Sequence, residues 1–217
     1  MTGRQVVALA RPLGSAIRWQ PGVAAWGLVA LLLVLKDGAL DDPGSALLLL
    51  RAVAVIAVLG AAFVLDDEAA PTLEASPSTL AWRRFLRGAA AVALVTPPWA
   101  GAVWRLDTHA TRLPVAGLTL ELIALLVLAL AAAAAVTRWS GSTDPGVATT
   151  PVVFVVVLGA FQLPSRFALY GGPGPGWESA HVRWWLLLAA STLLLLWSSR
   201  DPVARRQSLS PRRVAGG

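Results

Sequence analysis

Cysteine is absent from the 217 residues, which excludes both a disulfide framework and a thiolate metal site. Lysine occurs once, at Lys36, and no GxxxxGK[ST] run exists, so this chain has no P-loop to cradle nucleotide phosphates. Only two histidines are present, His109 and His181. Both are expected in outer loops in structural or solvated roles, since two are too few for a metal centre. Gly-x-Ser-x-Gly is missing, and neither paired histidines nor paired acids fall inside an apolar run, so an intramembrane enzyme finds no machinery here. Charge is scarce as well: 14% of residues, where soluble domains carry about one quarter.

What fills the chain instead is apolar, 56% of it, in blocks long enough to cross a bilayer. The fold class expected is an all-α membrane protein. A transmembrane domain at 20–198 holds six spans: Pro21 to Lys36, Ala46 to Leu65, Gly88 to Trp104, Val115 to Val136, Thr149 to Leu163, and Trp184 or Trp185 to Trp197. Pro97-Pro98 should bend or break the outer half of the third. The net charge of +6 comes from arginines flanking apolar runs rather than from a solvated patch, so it sets topology and does not point to nucleic acid. Twelve Arg fall on one side against five Arg or Lys on the other, with Arg51 inside a span, which places both termini in the cytoplasm of a multi-pass cell (inner or plasma) membrane protein. Trp19, Trp99, Trp104, Trp139, Trp184, Trp185 and Trp197 lie at span ends, where interfacial indoles belong.

Residues 1–19 carry Arg4, Arg11 and Arg18 at seven-residue intervals, which share one helix face, with Val6, Leu9, Leu13 and Ile17 opposite. Val7 and Pro12 interrupt the pattern. The expectation is an amphipathic helix along the cytoplasmic surface; the alternative is a basic, frayed amino terminus. No small-x-small site follows the first apolar run, so a cleaved signal peptide is not expected. Residues 199–217 form a basic cytoplasmic tail.

The one long internal polar segment, 65–87, opens on Asp66, Asp67 and Glu68 and closes on Arg83, Arg84 and Arg87. Ser76-Pro77 reads as an N-cap with proline at the first helical position. A helix from there sets Leu80, Arg83, Arg84 and Arg87 on one side, and Trp82, Phe85 and Leu86 on the other. Its aromatic face suits a membrane surface or a partner's cleft, and the three acids suit a partner's basic residues. A solvated loop with ordinary positive-inside arginines fits the same residues.

Glu68, Thr72-Leu73-Glu74, Ser76-Pro77 and a basic helix with Arg83, Arg84 and Arg87 entering the third span together resemble the first cytoplasmic loop of type-2 ATP-binding-cassette (ABC) permeases. Pro71 stands where that family usually has Gly, the gap from Thr72 to Pro77 is shorter than usual, and Arg87-Gly88 replaces a frequent Gly-Lys. Six spans with cytoplasmic ends and an initial amphipathic helix extend the resemblance over most of the chain. It implies a permease subunit whose ATP and Mg are bound by a separate ABC ATPase, seated on Glu68, Thr72, Leu73, Glu74, Ser76, Pro77, Trp82, Arg83, Arg84 and Arg87. It implies a second permease chain too, identical or similar. Export is the expected direction of transport. It further implies that the external segment from Pro164 to Arg183 folds into short helices dipping into the outer leaflet; a flexible loop is the alternative. Apolar walls favour a lipophilic or amphipathic cargo. The competing reading is a non-transport accessory or sensor subunit that scaffolds a partner.

Two charges fall inside spans, Arg51 and Glu121, about five and six residues from the outer ends. At ~1.5 Å per residue both lie roughly 8–9 Å below the outer surface. A charge in hydrocarbon is costly and normally faces protein or water. The two are expected to pair or to line one polar pocket; separate snorkelling to the interface is the alternative. Thr119, Gln162, Ser191 and Thr192 are expected to bond a carbonyl one turn back or to join helices.

Overall fold

Proline sits in the first turn of three helices of this protein, where its missing N–H costs nothing and its fixed φ favours the helix. The computed structural model describes residues 19–66, 80–109, 112–140 and 145–199. Among these residues the fold is all-helical, with no strand. Its six helices are α1 (Gln20–Leu35), α2 (Pro43–Ala62), α3 (Leu80–Thr108), α4 (Val115–Ser140), α5 (Pro145–Gln162) and α6 (Trp177–Ser198). Pro21, Pro43 and Pro145 open α1, α2 and α5. At α2 the preceding Asp42 completes the signal: its carboxylate accepts from Ser45 N at 2.7 Å. The helix therefore starts three residues before the expected Ala46, and it gives way to a 3-10 turn at Phe63–Leu65.

Four helices are long and apolar enough to cross a membrane: α2, α4, α5 and α6. Helix α1 is apolar but only 16 residues long. Helix α3, at 29 residues, carries Arg83, Arg84, Arg87 and Arg105 towards its ends. The core lies between α2 and α4, where Leu50, Val53, Val58, Leu118, Leu125 and Ala129 are buried. Helices α5 and α6 turn Val155, Leu158, Leu186 and Leu193 outward, the apolar exterior that lipid accepts and water does not. Helix α1 approaches α2 through small residues: a Cβ on Gly60 would stand 2.4 Å from the Ala25 Cβ and 3.2 Å from the Pro21 carbonyl oxygen. Backbones come this close only where side chains are nearly absent.

The expected interruption at Pro97-Pro98 does not occur; α3 runs through both prolines as one helix. Pro98 has no N–H to offer the Leu94 carbonyl, one turn back. The indole of Trp26 on α1 donates to that carbonyl at 2.7 Å. One of the two donors that Pro97 and Pro98 remove from α3 thus comes from its neighbour. Replacing Trp26 with Phe should cost about 1–3 kcal/mol by stranding this acceptor. Pro98→Ala restores a backbone N–H, so Trp26→Phe should cost clearly less in that background. Equilibrium unfolding of the four proteins in mixed micelles measures the difference, and equal costs in both backgrounds would defeat the explanation.

Two tryptophans depart from the expected interfacial placement. Trp184 is wholly buried and donates to the Leu169 carbonyl at 2.8 Å; Trp99 is buried and donates to Thr119 Oγ1 at 3.3 Å. Each indole N–H has an internal acceptor, which removes its reason to sit at an interface. Trp19, Trp104, Trp139, Trp185 and Trp197 are exposed. The sixth helix begins at Trp177, seven residues ahead of Trp184, because positive φ at Gly174 and Gly176 turns the chain directly into it. The segment between α5 and α6 shortens accordingly.

Candidate functional site: a buried ion pair under the segment between α5 and α6

Arg51 lies on the buried side of α2 and Glu121 on the buried side of α4, 7% and 2% exposed. They meet as a fork: Arg51 Nε donates to Glu121 Oε2 at 2.8 Å and Arg51 Nη2 to Oε1 at 2.8 Å. Two parallel charge-assisted bonds hold a guanidinium and a carboxylate in one plane, the geometry that makes a buried pair tolerable. Arg51 Nη2 donates a further bond to the Gly171 carbonyl at 2.9 Å, and its guanidinium lies over the Tyr170 ring, 4.7 Å from the centroid. The pair is therefore closed from outside by the chain between α5 and α6.

Side-chain donors hold that chain in place. A 3-10 turn at Ser165–Phe167 follows α5. Arg183 then donates to the carbonyls of Ala168 and Arg166, each at 2.6 Å, and Trp184 donates to Leu169. Tyr170 packs between Phe161 of α5 and Trp184 of α6, ring centroids 4.6 and 5.5 Å away. Burial, helped by the Glu121 charge and opposed by Arg51, pushes the Tyr170 hydroxyl above its ordinary range, so it stays neutral. The segment is neither a pair of short helices nor a free loop. It is a 3-10 turn, an irregular stretch pinned through its carbonyls, a glycine turn and then the first turns of α6.

His181, expected in a loop, stands on α6 beside this pair. Its Nδ1 is 2.8 Å from the Trp177 carbonyl, its ring lies against the Trp177 indole at 4.1 Å, and its Nε2 is 3.7 Å from Glu121 Oε1. Gly117 of α4 makes room, for a Cβ there would come within 2.5 Å of Nε2. The mixed polarity of 177–183 conceals the helix from sequence reasoning. The four-residue spacings Gly117–Glu121 and Trp177–His181 are the signals that place these groups on facing turns.

A second cluster ties the α1–α2 turn to the end of α3. Arg105 pairs with Asp37, and His109 bonds Asp41 at 2.9 Å and Asp37 at 3.2 Å. The Asp41 hydrogen bond, with Asp37 adding to it against partial burial, raises the His109 imidazole above its ordinary value. Partial burial works to raise Asp37, but the bonds and charges of Arg105 and His109 win and lower it. The raised imidazole contributes stability that is complete below the unfolded value of about 6.5 and is lost as pH rises through the folded one. The lowered carboxyl contributes above about 3.8 and is lost as pH falls through its own folded value. Melting temperature should therefore fall from mildly acidic to alkaline pH, and His109→Gln should flatten that slope. An unchanged slope in the variant would remove His109 as its source.

At the opposite end of the helices, Asp66 is fully buried and caps α5, its Oδ1 accepting from Gly146 N at 2.7 Å. A Cβ on Gly146 would lie 2.9 Å from both the Ala62 carbonyl oxygen and the Phe63 Cα. Asp66, expected to offer charge to a partner, is spent on the protein's own helix terminus. Arg87, expected on a partner-facing surface, is buried on α3, the helix that packs on the Phe63–Leu65 turn. Arg138 reaches the end of α6, donating to the Trp197 and Ser198 carbonyls, with Trp197 under its guanidinium.

Of the other expected coupling residues, Trp82, Arg83 and Arg84 fall in the first turns of α3. Glu68, Thr72, Leu73, Glu74, Ser76 and Pro77 lie outside the described residues, as do residues 1–18 and 200–217. Thr119 and Thr192 bond carbonyls one turn back at 2.8 and 2.7 Å, Ser191 is buried, and Gln162 is exposed at the end of α5. No group of three His, Asp or Glu among the described residues is placed to hold a metal ion. Comparison with family models, with curated proteins and with solved structures finds no match to this chain.

Proposed function

We propose that the chain is the membrane-spanning permease subunit of an ATP-driven ABC transporter, exporting a lipophilic or amphipathic substrate with a separate ATPase that binds ATP and Mg. The observation that carries this reading is the continuity of α3 from Leu80 to Thr108. The basic end of the polar segment and the apolar stretch behind it are one rod, about 43 Å long at ~1.5 Å per residue. A partner that moves the segment Glu68 to Arg87 would move the rod through its whole length. In this reading all six helices cross the bilayer, residues 1–19 lie along the cytoplasmic surface, and both termini are cytoplasmic. Two such chains enclose the substrate path between them.

The test is purification of the full chain from its native host in a mild detergent. The expected result is retention of a small ATPase with a Walker A motif and vanadate-sensitive ATP hydrolysis. Deleting Thr72 to Pro77 should abolish that hydrolysis or release the ATPase. Hydrolysis that survives the deletion in an intact complex would overturn the coupling role. The closed state of the Arg51–Glu121 pair favours the accessory-subunit reading instead, because its fork, the Gly171 carbonyl and the Tyr170 ring leave that point sealed. Co-purification of a stoichiometric partner that is not an ATPase would decide for it.

A further inference from the structure

His181 faces Glu121 with a mismatch of hydrogen-bonding character. The Trp177 carbonyl can only accept, so the proton of a neutral His181 must reside on Nδ1, 2.8 Å away. Nε2 is then a bare lone pair. It is buried, has no hydrogen-bond partner among the described residues, and points at a carboxylate oxygen 3.7 Å off. Two acceptors facing each other without a proton between them repel. The missing Cβ of Gly117 and the Trp177 ring hold the imidazole in that position.

We propose that His181, Glu121 and Arg51 form a proton-binding site, whose ligand is a single proton taken up on His181 Nε2. The proton adds to the lone pair, no bond breaks, and the new N–H donates to Glu121 Oε1 once the gap closes by about 1 Å to the charge-assisted range. The site passes from neutral, with Arg51 and Glu121 cancelling, to a net charge of +1. A cleft of ≈ 400 Å³ lined by Pro114, Pro173, Pro175, Trp177 and Glu178 includes the indole against which the His181 ring lies.

The groups that face this site can be named for each neighbouring element. Helix α4 contributes Glu121, α2 contributes Arg51 through Glu121, and the covering segment contributes Tyr170. On α6 itself Arg183 is engaged by the Ala168 and Arg166 carbonyls and Glu178 is exposed; α5 carries no titratable residue. Glu121 Oε1 already accepts from Arg51 Nη2, the nitrogen that also holds Gly171. The new N–H would share Glu121 Oε1 with Arg51 Nη2, since a carboxylate oxygen can accept two donors. The proposal stands whether or not the chain is a permease.

The experiment is nitrogen-15 NMR of histidine-labelled full-length protein in lipid nanodiscs, with His109→Asn isolating the single remaining imidazole. Expected at alkaline pH is the tautomer with a proton on Nδ1 and a bare Nε2, converting on acidification to the doubly protonated ring. Glu121→Gln should weaken the hydrogen bond from the new Nε2–H to position 121, read as an upfield move of that proton's resonance. Gly117→Ala, whose methyl takes the imidazole's place and leaves the Arg51–Glu121 fork intact, should weaken it likewise, which secures the test if Glu121→Gln fails to fold. A tautomer protonated on Nε2 throughout the titration would overturn the proposal. An Nε2–H resonance unchanged in both variants would overturn it equally.

Discussion

Replacing Arg51 with leucine destabilises the folded protein by about 3–5 kcal/mol, and Glu121→Leu does the same, because each leaves a buried charge without its partner. The double variant loses far less than the sum. With both charges gone, two leucines meet inside an apolar interface, an exchange that ranges from neutral to stabilising by about 1–4 kcal/mol in buried pairs generally. Equilibrium unfolding of the single and double variants in mixed micelles gives the coupling directly. Strictly additive losses would mean that the two side chains do not act as a pair. Arg51→Leu carries a second signature, since it also releases the Gly171 carbonyl and the Tyr170 ring. Hydrogen exchange should therefore quicken around residues 168–171 in that variant, while the Asp66 cap of α5 at the other end stays protected.

Gly60→Leu should be the most damaging change at the α1–α2 contact. Even the methyl of alanine would stand 2.4 Å from the Ala25 Cβ, with the Pro21 carbonyl oxygen at 3.2 Å and the Gly22 Cα at 3.4 Å. None of these is the far end of a flexible side chain, so the helices themselves must separate. Overpacking of this kind typically costs about 1–3 kcal/mol for small insertions, which is the expectation for Gly60→Ala; leucine should exceed it. Separation also pulls Trp26 from the Leu94 carbonyl, so the loss extends to the proline-bearing part of α3. Ala25→Gly should rescue much of the Gly60→Ala loss by emptying the closest position. Failure of that rescue, measured by thermal unfolding of the wild type, the two single variants and the double variant, would show that the clash lies elsewhere.

These two sites differ in how far they could be foreseen. Arg51 and Glu121 stand out because a charge inside an apolar run is conspicuous, and a rise of ~1.5 Å per residue puts both at a similar depth. Depth is a one-dimensional quantity and can be counted along the chain. Which faces of α2 and α4 meet is not, and neither is the seal over the pair, which comes from Tyr170 and Gly171 more than a hundred residues after Arg51 in the chain. His181 shows the limit most sharply. Counted by polarity, residues 177–183 read as a loop, yet the glycine-rich turn before them starts a helix early and swings the imidazole onto Glu121.

Local chemistry was enough to determine the all-helical character, the apolar stretches that can cross a bilayer, the proline starts and the two misplaced charges, since each depends on residues within a few turns of one another. Tertiary structure alone decided the rest. Helix α3 runs whole through Pro97-Pro98, and a tryptophan 68 residues away supplies one of the two donors its own backbone lacks there. Asp66 turns inward because the α5 terminus, 80 residues on, presents a free N–H at hydrogen-bonding distance. Arg87 is buried on α3, which packs against α2 and the turn that follows it. In every case the deciding partner is distant in sequence. A buried polar group takes the donor or acceptor that packing brings to it, and periodicity along one segment carries no record of which one that will be.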